Sequence, residues 1–222
     1  MSAPQRTLLL LTLYAIAMAQ VEASLVVHLR SLYYPDDPLA LFPLSLMSHR
    51  DLFIELTREL ATLLMILAVS MLATRGFTRG FAAFVYIFGL WDVFYYLWLK
   101  LMIGWPVSWL EWDVLFLIPW PWFAPWITPV FIALLFIFWG GWILLVAGEA
   151  RFSRNTVIVF VLGMLLDLGA FLLPAVPLLP GGEEAFQNFQ PQDFSWSLYL
   201  AGYLLMAAAF WSVAKTHRHS IG

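Results

Sequence analysis

The sequence predicts an all-α integral membrane protein: a six-span helical bundle with a Trp/Pro-rich interfacial or re-entrant segment between its third and fourth spans. Three observations carry that expectation. Hydrophobic residues make up 63% of the 222 and charged residues only 11%, against roughly 45–50% and 25% in an average soluble domain. The apolar residues fall into six runs, each near the ~20 residues needed to cross a hydrocarbon core. Seven of the twelve tryptophans, together with four prolines, gather in the stretch 98–126 around the connection between the third and fourth runs. The mean hydropathy of +0.85 leaves no room for a sizeable soluble domain, so residues 1–222 read as a single transmembrane domain.

The six expected spans cover about 7–27, 52–73, 81–102, 127–147, 155–173 and 194–214. The connection Arg75-Gly76-Phe77-Thr78-Arg79-Gly80 is short, basic and glycine-bearing, which makes the second and third spans a hairpin. Arg6, Arg75, Arg79, Arg151, Arg154, Lys215 and Arg218 collect on one side of that arrangement, whereas the last loop of the other side is acidic (Glu183, Glu184, Asp193). The excess of Lys and Arg on cytoplasmic loops then predicts a multi-pass protein of the cell inner (plasma) membrane with both termini cytoplasmic. A competing reading makes residues 1–19 a cleaved signal peptide, with Arg6 as its n-region, Leu8–Ala17 as its apolar core and Ala17-Met18-Ala19 as its cleavage site. The apolar run continues past that site to Val27, which favours a retained first span.

The segment between the third and fourth spans opens on Gly104-Trp105-Pro106 and closes on Trp120-Pro121-Trp122-Phe123-Ala124-Pro125-Trp126. Its apolar stretch Val107–Ile118 is too short for a full crossing. Tryptophans 98, 105, 109, 112, 120, 122 and 126 suit the headgroup level, where an indole is half-buried and its N–H stays wet. The partners expected are therefore the lipid bilayer and, through the Trp-rich segment 98–126, other membrane subunits. No basic stripe is present, so nucleic acid is not an expected partner.

Inside these apolar surroundings lie Glu22, Glu55, Arg58, Glu59, Asp92, Lys100, Asp113 and Asp167. A charge at mid-bilayer costs at least ~2.5–3.5 kcal/mol, so such residues are expected to pair with one another or to serve a site. With the N-terminus inside, all of them fall in the outer half. Glu55, Arg58 and Glu59 are three and four apart and share a helix face, which Asp51 extends outward; Asp92, Tyr96 and Lys100 form an i, i+4, i+8 row with Tyr95 beside it. Lys100, Arg58 or a bound proton are the candidate partners of Asp92. The ligand or ion site is thus expected at Glu22, Glu55, Arg58, Glu59, Asp92, Tyr96, Lys100, Asp113 and Asp167. The later spans carry small residues (Gly140, Gly141, Gly163, Gly169, Gly202, Ala207–Ala209) that permit close helix approach.

Three chemistries fit such a set. A mixed carboxylate–guanidinium cluster can bind or move a small solute, ion or proton, because burial and neighbouring charge oppose each other in setting protonation. The same charges can instead fix helix register in a non-catalytic subunit of a larger membrane complex. The third is a metal-dependent membrane enzyme with its ion held by Glu22, Glu55, Glu59, Asp92, His28 or His49, although no E-x-x-H or H-x-x-x-H lies on a span. The absence of cysteine excludes thiolate nucleophiles and iron–sulfur clusters, and the absence of a histidine at a span centre argues against haem. His217-Arg218-His219 reads as part of a basic tail, and no phosphate-binding glycine motif is present.

Overall fold

In the computed structural model, which describes residues 2–146 and 152–219, the chain is predominantly helical. Arg151 lies outside the described residues, as do the side chains of the basic tail at Lys215, His217, Arg218 and His219. The long helices are α1 (Ala3–Tyr33), α2 (His49–Ala73), α3 (Phe77–Ile103), α4 (Ile127–Leu145), α5 (Arg154–Leu172) and α7 (Trp196–His219). A 3-10 helix (Leu173–Gly181) and the short α6 (Gly182–Gln187) join α5 to α7. Their starts follow local chemistry: the Ser48 and Ser153 hydroxyls accept the amides of Asp51 and Thr156, so each caps the first turn of its helix. Gly76 and Gly104 flank α3 at φ +80° and +76°, a conformation a side chain resists.

Five helical stretches are long and apolar enough to cross a membrane: Ala3–Tyr33, Phe77–Ile103, Ile127–Leu145, Arg154–Gln187 and Trp196–Val213. The expected second span, α2, is not among them. It runs for 25 residues, but Arg50, Asp51, Glu55, Arg58 and Glu59 all fall in its first eleven. The helices nonetheless alternate in direction. At one end the start of α1 meets the end of α2 and the α3–α4 pair, where Ala3, Pro4, Thr7, Ala73, Thr74, Arg79 and Leu144 line a shallow hollow. Arg79 closes that end by donating to the Leu144 carbonyl of α4 at 2.8 Å. Arg6, Arg75 and Arg154 also belong to this basic end by their positions in the chain.

The segment between the third and fourth expected spans, expected to be interfacial or re-entrant, contains two short strands. Trp112–Phe116 (β1) and Trp122–Pro125 (β2) pair as an antiparallel hairpin, with Asp113 opposite Ala124 and Val114 opposite Phe123. β-branched and aromatic residues suit a pleated strand, and Pro119 and Pro121 confine the turn between the strands. Glu111 shapes the approach to β1, accepting the Trp105 Nε1–H at 3.0 Å and the Ser108 amide at 3.0 Å.

Two helix pairs make backbone-close contact through glycine. A Cβ at Gly89 would stand 2.5 Å from the Ala133 carbonyl oxygen, and one at Gly140 would stand 2.5 Å from that of Ala82, so α3 and α4 touch main chain to main chain. Gly163 and Gly202 do the same for α5 and α7. Phe81, Trp139, Phe152, Phe160 and Phe210 join the two pairs, with Trp139 stacked on Phe210 at 4.2 Å. Gly89→Ala and Gly140→Ala are each expected to destabilise the bundle by about 1–3 kcal/mol through overpacking. Gly80→Ala, whose added Cβ meets nothing closer than 3.6 Å, is expected to leave stability unchanged or improved. Thermal unfolding of the three variants in one detergent checks the order.

Candidate functional site: a buried charge cluster at the hairpin end

Most of the ionisable residues that the sequence places in apolar surroundings converge where α1, α2, α3 and the hairpin meet. On α1 the buried positions Leu11, Ala15, Ala19, Glu22, Ala23 and Arg30 form one stripe of helical period facing the rest of the bundle. The alanines let neighbouring helices approach, and the two long polar side chains reach across. Arg58 of α2 stands between two carboxylates: it donates through Nη1 to Glu22 of α1, and through Nε (2.9 Å) and Nη2 to Glu55 one turn back on its own helix. Thr62, a turn further along α2, places its hydroxyl 3.5 Å from the other Glu22 oxygen. Glu22 and Glu55 are buried, and the Arg58 side chain is 19% exposed, so these are pairs with little solvent screening.

Glu59 takes a different partner. Both its oxygens lie 3.0 Å from the Leu117 amide nitrogen in the hairpin turn, so α2 grips the hairpin as well as α1. Asp113, on β1, is held from two sides: Arg30 Nη2 lies 3.4 Å from Oδ1, and the Tyr96 hydroxyl donates to Oδ2 at 3.0 Å. The Arg30 guanidinium sits over the Trp105 ring, 3.8 Å from its centroid, and its Nε and Nη1 have no hydrogen-bond partner. Burial pushes the Asp113 carboxyl upward from its ordinary value, further than Arg30 and Tyr96 draw it down. Asp92 lies within electrostatic range of Asp113, and its Oδ2 is buried without a partner. Tyr95 lies among Asp113, Arg30, Arg58 and Glu55, which places the two halves of the cluster side by side.

The structure thus brings together Glu22, Glu55, Arg58, Glu59, Asp92, Tyr96 and Asp113, and separates the other two candidates from them. Lys100 does not pair with Asp92: its Nζ donates to the Gly104 carbonyl at 2.9 Å and the Pro106 carbonyl at 2.7 Å, satisfying the end of α3 and the start of the connection. Arg58 is likewise committed to Glu22 and Glu55 rather than to Asp92. Asp167 is buried in the contact between α5 and α7. The metal candidates do not assemble either: among the described residues no three histidine or carboxylate groups form an arrangement able to hold a metal ion. His28 and His49 are both exposed, the former with its ring 2.6 Å from the Ser24 carbonyl oxygen.

Arg30 and Trp105 belong to the cluster although the sequence reading assigned them no site role. The signal was present: Arg30 lies eight residues after Glu22, two turns along the same face, and would have been included had the first helix been extended past Val27. No protein-family model, no curated protein and no solved structure matches this chain.

Arg58→Leu is expected to cost about 3–5 kcal/mol, because it leaves two buried carboxylates without their cation. Restoring neutrality in a triple variant, with Glu22→Gln and Glu55→Gln added, should recover part of that loss; unfolding midpoints in detergent measure both. Asp113 sets a pH dependence whose sign follows from its raised value. The folded form binds the proton more tightly than the unfolded chain, so wild type should lose stability relative to Asp113→Asn as pH rises above the ordinary carboxylate value of 3.8. Unfolding midpoints of the two proteins across that range test this.

Proposed function

We propose that the chain is a six-span integral membrane protein of the cell inner membrane, N- and C-termini cytoplasmic, whose cluster in the extracytoplasmic half binds a proton. One observation carries the reading. Glu22, Glu55, Glu59, Asp92 and Asp113 are five carboxylates gathered around the guanidinium groups of only Arg30 and Arg58. That is a formal excess of three negative charges in a region screened from solvent. Each uncompensated buried charge costs several kcal/mol, so a positive species taken up from outside relieves it. Asp92, with a buried oxygen that no protein donor fills, is the position proposed to receive it.

The membrane reading draws on the five long apolar helices and on the sequence, in which seven of the eleven Lys and Arg residues fall on the side expected to be cytoplasmic. In this reading α2 is the sixth span, with Glu55, Arg58 and Glu59 turned inward onto α1 and the hairpin while Leu60, Leu64, Met71 and Leu72 stay exposed on its outer side. The opposite half has no comparable set of acids among the described residues, which favours binding and release on one side over passage through the bundle.

A second reading, a non-catalytic subunit of a membrane complex, is favoured by the ion pairs of Arg58 with Glu22 and Glu55 and of Arg30 with Asp113, which tie separate elements together as structural pairs would. It also draws on the exposed tip of the Trp-rich segment, where Val107, Trp109 and Leu110 point away from the core. Proton uptake by the purified protein, followed by pH-stat titration, separates the two. The proposed function predicts that Asp92→Asn takes up about one proton fewer per chain than wild type. Equal uptake by both proteins would sink it. In that case stoichiometric partners retained through gentle extraction and seen by native mass spectrometry would support the subunit reading.

A further inference from the structure

Asp167 stands apart from the cluster and obeys different constraints. It is 3% exposed, and both carboxylate oxygens are buried without a hydrogen-bond partner. It points at the glycine seam between α5 and α7: a Cβ on Gly202 would lie 2.2 Å from Asp167 Oδ1 and 2.7 Å from the Gly163 carbonyl oxygen. The Tyr203 amide lies alongside without completing a hydrogen bond of normal geometry. Among the described residues no other charge reaches it. α5 carries only Arg154 besides Asp167, and Arg154 lies at its far end. α7 presents the Tyr199 and Tyr203 hydroxyls, of which Tyr199 is committed to the Thr128 carbonyl at 2.9 Å. Neither β2 nor the 3-10 helix, the other elements packed on α5, contains a titratable residue.

We propose that Asp167 is a second proton-binding site, independent of the charge cluster, and that its proton holds α5 and α7 together. The argument is steric as well as electrostatic. The carboxyl group is pressed onto the Gly202 backbone so closely that a Cβ does not fit between them. A metal cation needs a shell of several oxygens at more than 2 Å, and the seam offers no such space. A proton is the one positive species that fits. With it the group is a neutral acid compatible with an apolar helix contact; without it an unpaired carboxylate faces another helix's main chain, and separation of the helices lets water reach it. Gly202 is therefore glycine for two reasons: the backbones touch there, and the acid occupies the space its side chain would fill.

The test uses the full-length protein in lipid nanodiscs. Infrared difference spectra between wild type and Asp167→Asn should show the carbonyl stretch of a protonated carboxyl group at neutral pH, and that band should fade as the pH is raised. Because the chain has no cysteine, nitroxide labels attached at Thr156→Cys and Ser212→Cys, whose hydroxyls are 3.0 Å apart across the same helix pair, report its separation. The α5–α7 distance distribution should broaden at high pH with Asp167 present and stay narrow with Asp167→Asn. A carboxyl band absent at neutral pH overturns the proton. A distance distribution that broadens equally in both proteins overturns the link to helix contact. Should the labelled pair fail to fold, the infrared comparison decides alone. Neither outcome bears on Asp92, whose proton count is read separately.

Discussion

The interaction on which the hairpin end depends is the sharing of one guanidinium by two carboxylates from different helices. Arg58 draws Glu22 of α1 and Glu55 of its own helix into a single group, and it does so where solvent screening is weak. Breaking such a contact costs more than forming it gains, because the partners left behind are charged and buried. The triad therefore acts less as glue than as a specification: α2 has one azimuth and one depth at which both carboxylates are satisfied. Glu59 adds a second fixed point by reaching the Leu117 amide, so the same helix sets the position of the hairpin turn.

This contrasts with how the other helices associate. α3 with α4, and α5 with α7, meet through glycine contacts that bring main chains together, and an aromatic cluster around Trp139 and Phe210 joins the pairs. Dispersion and shape hold those pairs, and both tolerate an apolar environment on every side. α2 leaves a broad apolar face exposed and sends its polar face inward. The molecule thus combines a scaffold held by shape with one helix tethered largely by charge, and the cluster lies along the join. Arg30 and Trp105 extend the cluster toward the connection after α3, where Lys100 and Glu111 settle the backbone carbonyls and amides of a proline-interrupted turn.

Helix positions were legible in the sequence because hydrophobic run length reports them directly, and the long helices coincide with the expected runs to within a few residues at most ends. The exception at α1 is instructive. Its helix continues to Tyr33, past the apolar run that ends at Val27, and Arg30 is buried there against Asp113 and Trp105. The hairpin was not legible. A stretch broken by Pro106, Pro119 and Pro121 has neither helical nor strand periodicity long enough to announce itself, and its pairing is stabilised by Glu59 and Tyr96, which come from elsewhere in the chain.

The sequence by itself determined an apolar helical chain, the basic character of one end, and the gathering of carboxylates toward the other, since each follows from composition and spacing along single helices. Which carboxylate meets which cation was decided only by the tertiary structure. Asp92 and Lys100 share a helix face, yet Lys100 turns to the carbonyls that end α3, while Asp113, distant in sequence, lies beside Arg30. Asp167, one more acid in a greasy run when read along the chain, stands alone between α5 and α7. The physical reason is that a buried charge is governed by the nearest opposite charge or donor in three dimensions, and helix periodicity specifies the face a residue occupies but not the helix that face will meet.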